Sequence, residues 1–274
     1  MTFKIESPNE TLTVSCKNKI CWLTLNRPQS LNALTEELVD ALTHVTEDIK
    51  HRSEIGAVVL MGKGDHFMAG GDIKSFKHMM AEETNKDKLK EQFKVLIESF
   101  HSVILNLQGL PQPVLASVRG AVAGAGVSLM SACDLVIASK SSFFTLAYCN
   151  LGASPDGGST YFLPRIVGLK RSFEIALLGE RFDVQTAENW GLINKTVSDE
   201  NLVEETEKLA LKLASGPLNA HSKAKTLLYS SSHNSLANQL NQEAESFSTC
   251  AITKDFKEGV EAFIDKRSPK FTGK

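Results

Sequence analysis

Residues 118–139, VRGAVAGAGVSLMSACDLVIAS, decide how this chain is read. A β-rich run, PVLASVRG (113–120), leads into a stretch of glycine and small residues from Gly120 to Leu129, and a second β-rich run, CDLVIAS (133–139), follows. Small residues let a ligand come close to the backbone. A helix opening just beyond such a loop aims unpaired N–H groups at developing negative charge. The dinucleotide fingerprint does not fit, because Gly124-Ala125-Gly126 is followed by Leu129 where that turn needs Gly or Ala. Tight helix packing is the other use for the same glycines.

Working outward, a second loop of this type stands at Ala69-Gly70-Gly71-Asp72-Ile73-Lys74. Gly62-Lys63-Gly64 lacks the spacing and hydroxyl of a phosphate-binding loop. Two such loops in one core predict an oxyanion hole, one backbone donor coming from each of two helix starts. The surrounding pattern alternates. LTVSC and ICWLTL read as a hairpin around KNK. Thr35 caps a helix with Leu38, Leu42, Val45 and Ile49 on one stripe. GAVVLMG reads as a buried strand, and residues 88–107 as a helix. After residue 160 helices dominate, with Gly179 and Gly191 as stops and Asp183 as a cap. The expectation is an α/β core over 1–198 and a helical C-terminal lobe over 199–274.

The 274 residues carry 30 basic and 32 acidic side chains, too balanced to gather nucleic acid. Cys16 and Cys21 have no second pair or nearby His, so they read as strand thiols rather than a metal site. The start, with Lys4 and Glu6, shows no signal peptide, and no apolar run is long enough to span a membrane. A reduced, cytoplasmic protein fits. The Met- and Lys-rich segment 75–95 reads as mobile.

LGASPDGGSTYFL, residues 151–163, carries one carboxylate, Asp156, between a proline and two glycines. Pro-Asp-Gly is a turn signal on its own. The question is whether the turn also presents an acid to a pocket.

In this order, LNRPQSLNAL (25–34), FMAGGDIK (67–74), the 118–139 stretch, LGASPDGGSTYFLPRIVG (151–168), AENWGLIN (187–194) and FIDKRSPKFTGK (263–274) resemble the crotonase (enoyl-CoA hydratase/isomerase) superfamily over nearly the whole chain. The resemblance implies a spiral of ββα units with a helical trimerisation lobe, an acyl-CoA thioester substrate and a homotrimer or hexamer. It implies no separate cofactor, coenzyme A being part of the substrate. By position, Gly71 and Ala125 would donate to the thioester oxygen, beside Gly70 and Gly124. Ala69 and the stretch around Gln29 and Leu31 would hold the adenine end, with Asp72 and Ile73 next to Lys74, which would reach phosphates. Phe271 and Lys274 would help close a CoA site, often a neighbouring subunit's.

The chain departs from the hydratase pattern where two glutamates would activate water: those positions hold Ser128, a small wall residue, and Tyr148, a pocket lining. Asp156 stands instead at the loop where isomerase branches carry their acid, and SPDGG…LPR is similar to the epoxyphenylacetyl-CoA isomerase and Δ3,Δ2-enoyl-CoA isomerase branches. One carboxylate suffices for a 1,3-proton shift, and an apolar surround of Val127, Phe162 and Leu163 would raise its pKa. Enoyl-CoA hydratase is the alternative within the fold, and a non-catalytic acyl-CoA-binding scaffold the alternative of another class. Asp72 reads as a helix-start acid, Asp134 as a backbone acceptor, Arg165 as structural and His66 as a surface loop residue.

Overall fold

The computed structural model describes residues 5–274, so the first four residues of the expected core, Lys4 among them, lie outside it. Strands β1 (Leu12–Lys17) and β2 (Ile20–Leu25) form the hairpin, turned by Asn18 and Lys19 at positive φ as a two-residue loop requires. Its register sets Cys16 opposite Cys21, Sγ to Sγ 2.9 Å. Helix α1 (Glu36–Lys50) is capped by Thr35 and buries the predicted stripe. Strand β3 (Ala57–Gly62) then runs parallel to β2.

The middle of the chain winds. After β3, Met68 pairs with Val122; helices α2 (Ile73–Glu82) and α3 (Lys86–Gly109) follow. Strand β4 (Val114–Val118) returns to the first sheet, β5 (Ala121–Ala123) joins a second, and α4 (Ala125–Ser131) comes next. Strands β6 (Leu135–Ser139) and β7 (Phe143–Thr145) repeat that step. Each turn thus gives one strand to each sheet and then a helix, which is a spiral. Helices α5 (Ser159–Ile166) and α6 (Leu169–Leu178), strand β8 (Phe182–Asp183), helix α7 (Val184–Asn189) and strand β9 (Lys195–Val197) complete it. The sheets run β1-β2-β3-β4-β6-β9 and β5-β7-β8. Segment 75–95 is mostly helix: α2 and α3 are split at Glu83–Asn85, where Asn85 caps α3.

Alternation along the parallel strands builds two cores. Val58 and Leu60 face the main one; Ala57, Val59, Leu115 and Ile137 face the other side. That other side is covered by α8 (Leu202–Ala214) through Leu202, Ala210 and Ala214. The expected boundary at 199 therefore falls between the sheet and a helix packed on it. Helices α9 (Leu218–Ser230), α10 (Leu236–Ala251) and α11 (Lys254–Ile264) follow. Asp134 ties α9 to the spiral, accepting from Val114 N and Tyr229 Oη while pairing with Lys225 Nζ at 2.9 Å.

Candidate active site

The two glycine-rich loops are brought edge to edge by short parallel pairings. Leu34 bridges Gly71: Leu34 N donates to Gly70 O and Asp72 N to Leu34 O. In a parallel bridge the central residue's own N–H points away from its partner, so Gly71 N–H is turned outward and makes no hydrogen bond among the described residues. This donor comes from a strand-like bridge, not the helix start expected. Ala125 does open helix α4, and a first-turn N–H has no partner within its helix. Gly124, at φ 50° and ψ −118°, adopts a backbone that a side chain would forbid, and a Cβ there would meet Gly70 Cα at 3.5 Å. Gly126 lets α4 lie on the Met68 carbonyl, which a Cβ would approach to 2.6 Å.

Both loops border one cavity of about 720 Å³. Its apolar wall comes from α2 and α3, through Phe76, Met80, Phe93, Leu96, Ile97 and Phe100. Asp156 and Tyr148 stand on its border, and Asp156 is the one carboxylate among the described lining residues. Burial pushes the Asp156 carboxyl above the usual carboxylate range, against hydrogen bonding from Tyr148 and the charge of His101, which pull it down. Tyr148 Oη donates to Asp156 Oδ1 at 2.6 Å. Burial, then the neighbouring Asp156 charge, push the phenol far up, so it stays protonated.

The loop carrying Asp156 is pinned from behind. Its carbonyl accepts from Ser128 Oγ at 2.9 Å, Ser159 Oγ at 3.0 Å and Ser159 N at 3.2 Å. Gly157 N donates to His101 Nε2 at 3.3 Å, and Gly157 sits at φ 60° where a Cβ would strike Phe100. Ser128 is thus a fully buried brace for the acid loop, not a cavity wall. Val127, Phe162 and Leu163 are buried in the core rather than lining the cavity. The apolar wall of the cavity that Asp156 borders comes from α2 and α3 instead, and Phe100 of α3 lies against the neighbouring Gly157.

Other residues fall in place around this centre. Ala69 lines the cavity, its N–H given to Leu31 O. Gln29 and Leu31 lie exposed on the turn beside it, and Leu31 takes φ 51°. Asp72 caps α2 by accepting from Lys74 N and Ser75 N, and pairs with Arg27 at 3.0 Å. Ile73 and Lys74 are exposed at the start of α2, Ile73 also lining the cavity. Phe271 and Lys274 lie away from it: the Phe271 ring rests against Gly259 of α11, and Lys274 O accepts from Asp255 N. His66 is half-buried, its Nδ1 accepting from Ala121 N at 3.0 Å, so it braces β5 rather than decorating a surface loop. Arg165 stacks on Tyr161. His101 was missed; its signal was a polar residue between Ile97 and Ile104 on an apolar helical stripe.

A family model described as enoyl-CoA hydratase/isomerase matches residues 15–274. The chain belongs to the enoyl-CoA hydratase/isomerase family. A family member from Escherichia coli (strain K12), named 1,2-epoxyphenylacetyl-CoA isomerase, is 35% identical over 92% of this chain and 94% of its own. A Rhodobacter capsulatus protein, named probable enoyl-CoA hydratase, is 36% identical over 96% of this chain and 98% of its own. The crystal structure of an enoyl-CoA hydratase from Polaromonas sp. JS666 superposes with a TM-score of 0.89 at 32% identity, covering 95% of this chain and 99% of that one. The mixed α/β spiral and its C-terminal helices are therefore those of the crotonase superfamily, and the chain is an enzyme of this hydratase/isomerase family. No helix among the described residues is long and apolar enough to cross a membrane.

Proposed function

We propose that this hydratase/isomerase family enzyme is an isomerase, moving a double bond from the 3- to the 2-position of an enoyl-CoA or of a ring-derived CoA ester. The observation that carries the reading is Asp156, a lone raised carboxyl on a cavity that two unpaired backbone donors also border. Asp156 takes a proton from C2. The C–H electrons spread through the thioester as an enolate, and the proton returns at C4, leaving the double bond conjugated. Gly71 and Ala125 N–H hold the enolate oxygen, each worth about 3 kcal/mol once charge develops. A raised pKa brings the carboxyl closer to the driving force a carbon acid needs.

The same reading places the adenine near Gln29, Leu31 and Ala69, with Lys74 at the phosphates. It makes the enzyme a trimer or hexamer that buries apolar side chains such as Phe263, 86% exposed in one chain, and it fits the five free thiols to a reducing cytoplasm. In the assembly Phe271 and Lys274 serve a neighbour's CoA site. Isomerisation of 3-hexenoyl-CoA by Asp156→Asn is the test. Loss of turnover with CoA-ester binding retained is the expected result, and near-normal turnover removes Asp156 as base. Hydration of crotonyl-CoA at a comparable rate by the unaltered enzyme would favour a hydratase.

A further inference from the structure

We infer that Tyr148 is a positioning residue that fixes Oδ1 of Asp156 and thereby assigns proton transfer to Oδ2 alone. The inference rests on the isomerase reading above. Tyr148 Oη donates to Oδ1 at 2.6 Å, and Oδ2 has no hydrogen-bond partner among the described residues. The backbone around Asp156 is held by Ser128, Ser159 and His101, but none of these contacts sets the carboxyl plane. The terminal torsion of an aspartate is broad, so without a partner the plane would turn freely. Tyr148 is the group that stops it.

The phenol is well placed and cannot switch roles. Tyr148 opens a short 3-10 turn over Tyr148–Leu151, and Ala147 before it takes the left-handed φ of 53° that turns the ring toward the acid loop. Buried beside a carboxylate, it stays a donor throughout the cycle. With Oδ1 occupied, the lone pair on Oδ2 accepts the C2 proton, and the same O–H bond breaks to deliver it to C4. No other proton or electron carrier is needed, and the carboxylate is regenerated. One oxygen serving both carbons keeps the transfer on one face of the dienolate.

The titratable groups facing Asp156 are Tyr148, from the turn, and His101, from α3. Tyr148 favours the ionised carboxylate against burial, as His101 does only when it carries a charge, so removing the Tyr148 hydroxyl raises the Asp156 pKa further. The test is Tyr148→Phe assayed with 3-hexenoyl-CoA across pH. The expected result is a fall in kcat of about tenfold, KM within about twofold, and an acid limb displaced to higher pH. The displacement should persist in a His101→Gln background, which keeps an acceptor for Gly157 N. A limb that stays in place with kcat nearly unchanged, a rise in KM alone, or a displacement that vanishes with His101→Gln would each overturn the assignment. If Tyr148→Phe folds poorly, replacing the tyrosines with 3-fluorotyrosine makes the phenol a stronger donor and should move the limb down; a limb that does not move sinks the idea. Asp156→Asn, run alongside, separates the two claims. Its activity would defeat the isomerase reading, whereas its inactivity with an unaltered Tyr148→Phe profile would defeat only this one.

Discussion

Ser128 Oγ donates to the carbonyl of Asp156 at 2.9 Å, so the helix that opens with the Ala125 N–H, unpaired among the described residues, also braces the acid. The Ala125 N–H and the Asp156 carboxyl are thereby set against each other through one turn of α4. Ser128→Ala removes that brace and leaves Ser159 as the only partner of the carbonyl among the described residues. The variant should lose about 1 kcal/mol of stability. Its kcat for 3-hexenoyl-CoA should fall severalfold with little change in KM, because the acid drifts while the CoA site stays. Thermal unfolding and steady-state kinetics on one preparation check both.

Asp156 should also show opposite signs in activity and stability. Its carboxyl is raised by burial, so the acid limb of kcat/KM should lie above the ordinary aspartate value of about 3.9. For stability, a pKa raised by folding favours the native state below the unfolded pKa, and that contribution is lost as pH rises through the folded value. At pH 7 the ionised Asp156 therefore opposes folding. Asp156→Asn, inactive, should melt higher than the unaltered enzyme at pH 7, and the gap should close toward pH 4. A melting temperature lowered at pH 7 would show that burial does not govern this carboxyl.

Much of this was legible because it depends on local chemistry. The hairpin follows from a KNK turn, α1 from Thr35 and its stripe, and the small-residue loops from glycines whose backbone no other residue adopts. Asp156 was legible as the acid left when Ser128 and Tyr148 stood in place of carboxylates. What escaped depends on distance in the chain. Gly71 is a donor because Leu34 pairs with it, a nonlocal bridge without sequence mark. The 75–95 segment looked mobile from its Met and Lys content; its helical stripe, with Phe76 and Met80, faces a cavity and not a core. Tyr148 reaches Asp156 from the turn that follows Ala147, which takes a left-handed φ of 53° although alanine has no preference for it.

Gly126 should be intolerant of even one methyl group. A Cβ there stands 2.6 Å from Met68 O, which is backbone held in the pairing with β5 and cannot yield cheaply. Gly126→Ala should push α4 off that pairing, carrying Ala125 N–H away from the cavity where the proposed enolate oxygen would sit. A loss of about 1–3 kcal/mol is expected from overpacking. A kcat reduced at least tenfold should accompany it, since a displaced donor costs most of what a deleted one does. An Ala variant with unaltered kinetics would show that the helix start is not fixed by this contact.

The join between α9 and the spiral should be a stability determinant without a catalytic role. Lys225 is buried, pairs with Asp134 and donates to Leu107 O at 3.0 Å. Lys225→Met leaves the Asp134 charge without its cation and the Leu107 carbonyl without that donor. Breaking a buried pair from one side costs about 3 kcal/mol or more. The variant should unfold at clearly lower denaturant concentration, yet what remains folded should turn over 3-hexenoyl-CoA normally, because none of these residues borders the cavity.

The wall of α2 and α3 should set which acyl groups enter. Phe93 meets Phe76 edge to face with centroids 5.5 Å apart, and both border the cavity with Ile97 and Met80. Phe93→Ala opens space beside Phe76, whose ring lies against Gly71, within the apolar wall of the cavity. Longer or ring-bearing acyl chains then gain apolar contact that short ones cannot reach. Differences of one or two methylenes in such a pocket change kcat/KM by about tenfold or more. The ratio of kcat/KM for 3-dodecenoyl-CoA over 3-hexenoyl-CoA should rise by about that factor in Phe93→Ala and fall in Ile97→Trp, which fills the same space. The pH profile should be unchanged in both, since neither side chain bonds to Asp156. Parallel losses for both substrates would instead mean that the wall supports the fold and leaves acyl selection to another part of the chain.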